Sequence, residues 1–76
     1  MDFVLYGSKG LLVFEIKRSS RVTSAMVGGL KSFLTDYPMA KAYFAYTGNR
    51  RMYHGKIEIV PMLELLNNLG TILRSP

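Results

Sequence analysis

Positions 3–6 (Phe-Val-Leu-Tyr) and 11–16 (Leu-Leu-Val-Phe-Glu-Ile) are two short runs rich in β formers, and Gly7-Ser8-Lys9-Gly10 between them carries turn chemistry. The pair predicts an antiparallel hairpin. Alternation puts Val4, Tyr6, Leu11 and Val13 on one face and Phe3, Leu5, Leu12, Phe14 and Ile16 on the other. A hairpin apolar on both faces belongs inside a covered sheet. After the polar stretch 17–22, Met26, Val27, Leu30, Phe33, Leu34 and Tyr37 recur at the spacing of a helix with one buried stripe. Thr23 or Ser24 is its expected cap and Pro38 its end. Gly28 and Gly29 weaken that helix; they either mark close approach to a neighbouring backbone or are simply tolerated.

Residues 40–47 predict a third strand. Strand, helix, strand is a crossover unit, so the second and third strands should run parallel. Positions 48–55 read as a polar loop carrying Arg50, Arg51 and His54. Residues 56–60 alternate like a half-exposed edge strand with Glu58 outward. Pro61 then opens a final helix with the stripe Met62, Leu65, Leu66, Leu69, Ile72 and Leu73, and Gly70 is an expected early break. The expected fold is α/β. A small mixed sheet of four strands holds a hairpin, a crossover helix, a parallel strand and a further edge strand, followed by a C-terminal helix, all in one domain over residues 1–76.

Composition narrows the function classes. Apolar residues make up 49% of the chain and charged residues 20%, a globular balance. With no cysteine, disulfides and thiolate metal sites are excluded. No apolar run reaches the roughly 20 residues of a membrane span, and no signal-peptide layout opens the chain, so no membrane partner and a cytoplasmic location are expected. Ten Lys/Arg against five Asp/Glu give a net charge of +5, which fits either polyanion binding or a basic solvated surface. No Gly-rich loop ending in Gly-Lys-Ser/Thr is present, so ATP is not held in that manner.

The hairpin register concentrates the candidate chemistry. A turn centred between Ser8 and Lys9 pairs residues whose numbers sum to 17, so Tyr6 meets Leu11, Val4 meets Val13 and Asp2 meets Glu15. Lys17 lies two residues past Glu15 and therefore on the same face. Two carboxylates and an ammonium group then converge at the open end of the hairpin. Asp2 and Glu15 could hold Mg²⁺, which takes oxygen ligands and neutralises charge on a phosphodiester, with Lys17 assisting attack. The same residues also read as a strand-end salt bridge without chemistry. Arg18 and Arg21 follow directly and, with Lys17, are candidates for nucleic-acid backbone contact or for an ordinary solvated loop.

Asp2-Phe3-Val4-Leu5, the Gly-rich turn and Phe14-Glu15-Ile16-Lys17-Arg18 resemble the Asp-x(n)-Glu-x-Lys core of the PD-(D/E)XK phosphodiesterase superfamily, the restriction-endonuclease-like fold. The resemblance is closer to one subgroup, the C-terminal domain of unknown function found behind AAA-type ATPase domains in bacteria and archaea. Leu30-Lys31-Ser32-Phe33-Leu34-Thr35-Asp36-Tyr37-Pro38 is similar to that subgroup's first-helix end, and Val60-Pro61-Met62-Leu63-Glu64 to its closing strand–helix junction.

This resemblance implies a nuclease-like module with ancestral Mg²⁺-dependent phosphodiester hydrolysis, in which Asp2, Glu15 and Lys17 are the catalytic set, Asp2 and Glu15 the metal ligands, and an AAA-type ATPase domain a partner. The superfamily core places a helix and a strand ahead of its aspartate strand, whereas this sequence opens at Met1-Asp2, so the implied core is shortened and expected to be inactive by itself. An open edge at residues 2–6 is then expected to pair in a homodimer or higher oligomer. Two alternatives stand beside the nuclease: a non-catalytic docking or oligomerisation module of an ATPase-linked protein, and a DNA-binding domain without cleavage.

Overall fold

The computed structural model describes residues 3–7 and 10–74, with side chains from Val4 to Gly7 and from Gly10 to Thr71. The elements run β1 (Phe3–Gly7), β2 (Gly10–Ile16), α1 (Gly28–Asp36), β3 (Lys41–Tyr46), β4 (Met52–His54), β5 (Ile57–Pro61) and α2 (Met62–Arg74). The fold is α/β as expected, with a mixed sheet ordered β1-β2-β3-β5-β4. β1 and β2 are antiparallel, and Phe3 pairs with Phe14, Val4 with Val13, Tyr6 with Leu11 and Gly7 with Gly10. Every one of these pairs obeys the sum of 17. Gly10 has a φ of 94°, the left-handed backbone that glycine alone adopts without cost at such a turn. β2 is parallel to β3, and β3 to β5, so the crossover reading holds.

Each face of the sheet carries one helix. Val13, Ala42, Phe44, Tyr46, Ile57 and Ile59 pack against Val27 and Leu30 beneath α1. Leu12, Phe14, Tyr43, Ala45 and Val60 pack against Leu65 of α2, and Phe14 stacks on Tyr43 with ring centroids 5.2 Å apart. Tyr43 and Tyr46 thus face opposite ways, as strand alternation requires.

Several expectations need correction. The sheet has five strands among the described residues, because Met52–His54 inside the expected loop pairs with β5 through a turn at Gly55, whose φ is 61°. β5 is consequently interior, and Glu58 points to a neighbour rather than to solvent. α1 begins at Gly28 after a separate turn, in which the Met26 N–H bonds the Thr23 carbonyl at 3.1 Å and its hydroxyl at 3.3 Å. Thr23 therefore caps that turn, while Val27 sits at the helix N-cap. A Cβ on Gly28 would meet nothing within 4 Å, and one on Gly29 only a Glu15 carboxylate oxygen at 3.7 Å, so the glycine pair marks no backbone approach. α2 continues through Gly70 to Arg74, and Leu66 faces outward at 58% exposure. Ile72 and Leu73 side chains lie outside the described residues. The hairpin is covered on β2 only: Val4, Leu5 and Tyr6 on the edge strand β1 are exposed. Among the described residues, no helix is long and apolar enough to cross a membrane.

Candidate functional site

All three parallel strands end at the same rim, where Ile16, Tyr46 and Pro61 hand over to connections. Two surface grooves lie at this rim, one lined by Ser20–Val22 and Tyr46–Arg50 and one by Tyr46–Asn49 and Pro61–Glu64. The sequence places Lys17, Arg18, Arg21, Arg50 and Arg51 in these connections.

Glu15 lies one residue from the end of β2, beside Phe44 of β3 and under the start of α1. Its side chain is 9% exposed, and its Oε2 lies 3.5 Å from the Nζ of Lys17, whose side chain is 47% exposed. The Glu-x-Lys pair is therefore brought together on one face, as its spacing predicts. Asp2, the third member of the expected set, lies outside the described residues. Among the described residues, no group of three or more His, Asp or Glu side chains comes together. Mg²⁺ needs near-octahedral oxygen coordination with room for its waters. Glu15 alone does not fit it: one oxygen faces an ammonium group, the other faces the first turn of α1, and little of the carboxylate is open.

Arg18 and Arg21 lie on the exposed segment leaving β2 and have no ion pair among the described residues. This segment is tied to the sheet end at two points. The Lys17 N–H bonds the Ala45 carbonyl at 2.9 Å, and the Thr47 N–H bonds the Ser19 carbonyl at 2.9 Å. Ser19 braces the next bend through its hydroxyl, which donates to the Arg21 carbonyl at 2.8 Å and accepts from the Arg21 N–H at 3.2 Å.

Three residues outside the expected set shape the rim. Tyr46, 3% exposed, folds its hydroxyl back onto the turn that follows: it donates to the Arg50 carbonyl at 2.6 Å and accepts from the Arg50 N–H at 3.1 Å. Gly48 is what lets the turn lie on that ring, because a Cβ there would fall 2.2 Å from Tyr46 Cε2. Arg51 crosses from the turn to bind Glu58 of β5, and its Nε donates to Glu64 of α2 at 2.7 Å. The Glu64 bond holds the Arg51 guanidinium protonated well above its ordinary range. Burial raises the Tyr43 phenol above 10.0, reinforced by Glu58. The sequence signal for the turn was an aromatic strand end followed two residues later by glycine. For Arg51 there was none, since its partners lie 7 and 13 residues away.

A family model described as a domain of unknown function matches residues 1–65. Neither curated proteins nor solved structures gave a match. The matched span runs from the hairpin through both parallel crossovers to the first turn of α2, so this chain belongs to the family of the domain of unknown function DUF4143.

Proposed function

We propose that this domain is a nucleic-acid-binding module on a nuclease-like core, holding a phosphodiester backbone along Lys17, Arg18 and Arg21 without cleaving it. One observation carries the reading. Arg18 and Arg21 stand exposed and unpaired among the described residues, on a segment anchored to the sheet end, while Glu15 is buried and ion-paired with the half-exposed Lys17. Exposed cations on a backbone tied to the strand ends suit phosphate contact, which supplies most sequence-independent affinity for DNA. The Glu15–Lys17 pair supports descent from a PD-(D/E)XK core. Binding of purified chain to single- and double-stranded DNA, measured across a salt series, tests the proposal. Affinity should fall steeply with salt and weaken in Arg18→Ala and Arg21→Ala; salt-independent binding, or none, refutes it.

Metal-dependent hydrolysis is the second reading, favoured by the sum-of-17 register seen in all the described β1–β2 pairs, the register from which the Asp2–Glu15 pairing was expected. Incubation of DNA with Mg²⁺, Mn²⁺ or EDTA separates the two. Metal-dependent cleavage lost in Glu15→Ala and in Lys17→Ala would replace the first reading by the second. The exposed apolar residues Val4, Leu5 and Tyr6 on the β1 edge support self-association or docking to an AAA-type ATPase domain. Light scattering that finds only monomer counts against the first of these.

A further inference from the structure

We propose that the groove between the Ser20–Arg21 segment and the turn Thr47–Arg50 is a phosphate-binding site, with Arg21 and Arg50 as its charged walls. The inference deepens the nucleic-acid reading and rests on it for the source of the phosphate. It adds a second contact point on a different connection from the one that carries Lys17 and Arg18.

The open groove has a volume of about 490 Å³, and among the described residues no carboxylate lines it. Arg21 and Arg50 are exposed and have no ion pair among the described residues. By contrast, Arg51, one residue further on, is saturated by Glu58 and Glu64. The turn also offers backbone donors. Among the described residues, the N–H groups of Gly48 and Asn49 donate to no protein acceptor, whereas those of Thr47 and Arg50 are used by Ser19 and Tyr46. Two consecutive N–H groups without a protein acceptor are thereby available to an anion beside the arginines.

Rigidity separates this groove from an ordinary basic loop. The Tyr46 hydroxyl closes the turn onto a buried ring, Gly48 lies against that ring, and the Ser19–Thr47 bond fixes the facing segment. Donors held in place before binding lose little conformational freedom when a phosphate arrives. Phosphate accepts bidentate bonds from planar guanidinium groups, which matches arginine on both walls. Either a backbone diester or a free phosphate monoester satisfies this chemistry.

The test combines two titrations of the full chain. In the first, inorganic phosphate is added while backbone amide resonances are followed, with chloride as control. Saturating shifts at Gly48, Asn49 and Arg21 are expected, and they should vanish in Arg50→Ala. That variant removes only an exposed side chain and leaves both Tyr46 bonds to the Arg50 backbone in place. In the second, a short DNA is titrated across a salt series. Arg50→Ala should lower affinity about tenfold and reduce the salt slope by about 0.7–0.9. Lys41→Ala, an equal loss of charge at the opposite end of β3, should change affinity less than about twofold. If Arg18→Ala weakens DNA binding while Arg50→Ala behaves like Lys41→Ala, the groove is overturned and the nucleic-acid reading survives. If DNA does not bind but phosphate saturates the groove and is lost in Arg50→Ala, the reading fails and the groove stands as a free-phosphate site. Absence of both signals overturns both.

Discussion

Gly48→Ala probes the turn on which the rim geometry depends. The new methyl would lie 2.2 Å from Cε2, 2.6 Å from Cζ and 2.9 Å from the hydroxyl of Tyr46. Carbon–carbon contacts become favourable near 3.5 Å, so the turn and the ring must separate by about 1 Å. The ring cannot yield easily, being 3% exposed and packed in the cluster of Phe44, Ile57 and Ile59. The turn must lift instead, which breaks the bonds between the Tyr46 hydroxyl and Arg50.

Overpacking costs about 1–3 kcal/mol and each of the two lost hydrogen bonds about 0.5–1.5 kcal/mol, so about 2–6 kcal/mol in total is expected. In a domain of this size that lowers the melting temperature by at least about 8 °C. Urea unfolding followed by circular dichroism measures it. Gly28→Ala is the control: nothing lies within 4 Å of its Cβ, and alanine favours the helix, so stability should hold or rise. Tyr46→Leu removes the ring, and in that background Gly48→Ala should lose at least about 1 kcal/mol of its cost through coupling. A Gly48→Ala protein within about 0.5 kcal/mol of the parent would refute the reasoning.

Lys17→Met leaves the Glu15 carboxylate buried beside an apolar chain and should destabilise by about 1–2 kcal/mol in urea unfolding, less than a fully buried pair because Lys17 is half exposed. The raised Tyr43 phenol predicts an alkaline limit: the unfolded tyrosine ionises first, so the stability contribution is complete below pH 10.0 and is lost as pH rises beyond it. Unfolding curves of Tyr43→Phe should lack that part of the decline, and identical slopes in the two proteins would contradict the assignment. Arg51→Ala should cost about 1 kcal/mol at low salt and less at high salt, and a double-mutant cycle with Glu64→Ala should show coupling between β4–β5 and α2.

The legible part of the fold was what short-range pattern encodes. Gly7 and Gly10 fixed a tight turn and apolar runs fixed the faces, so the β1–β2 register followed from counting. β4 was illegible because three residues, Met52-Tyr53-His54, carry no period, and the strand exists only through pairing with β5. The α1 boundary was missed because Met26 and Val27 continue the apolar spacing through a turn that is not yet helical. Leu66 matched the α2 stripe by number yet faces outward, since Met62, Leu65 and Leu69 already fill the contact with the sheet. Of the candidate site, the Glu15–Lys17 contact was legible because i and i+2 share a strand face. The roles of Arg50 and Arg51 were not, because they depend on Tyr46, Glu58 and Glu64 at a distance.

Charge alone does not select the rim over the other end of the sheet, where Lys31, Lys41 and Lys56 also lie. Those lysines differ in chemistry: Lys56 turns its ammonium group to the Pro38 carbonyl at 2.7 Å, and a lysine ammonium is a point charge without the planar fork that matches phosphate bidentately. At the carboxyl end, neutralisation is selective: Glu15 takes Lys17, and Glu58 with Glu64 takes Arg51, which leaves Arg18, Arg21 and Arg50 uncompensated among the described residues. The side chains left over are all arginines, on connections already fixed by Ser19, Thr47 and Tyr46. The backbone of these connections is already ordered in the fold, so binding there costs the freedom of the arginine side chains but no loop closure. That asymmetry, more than the net +5, argues for a polyanion surface at the strand ends.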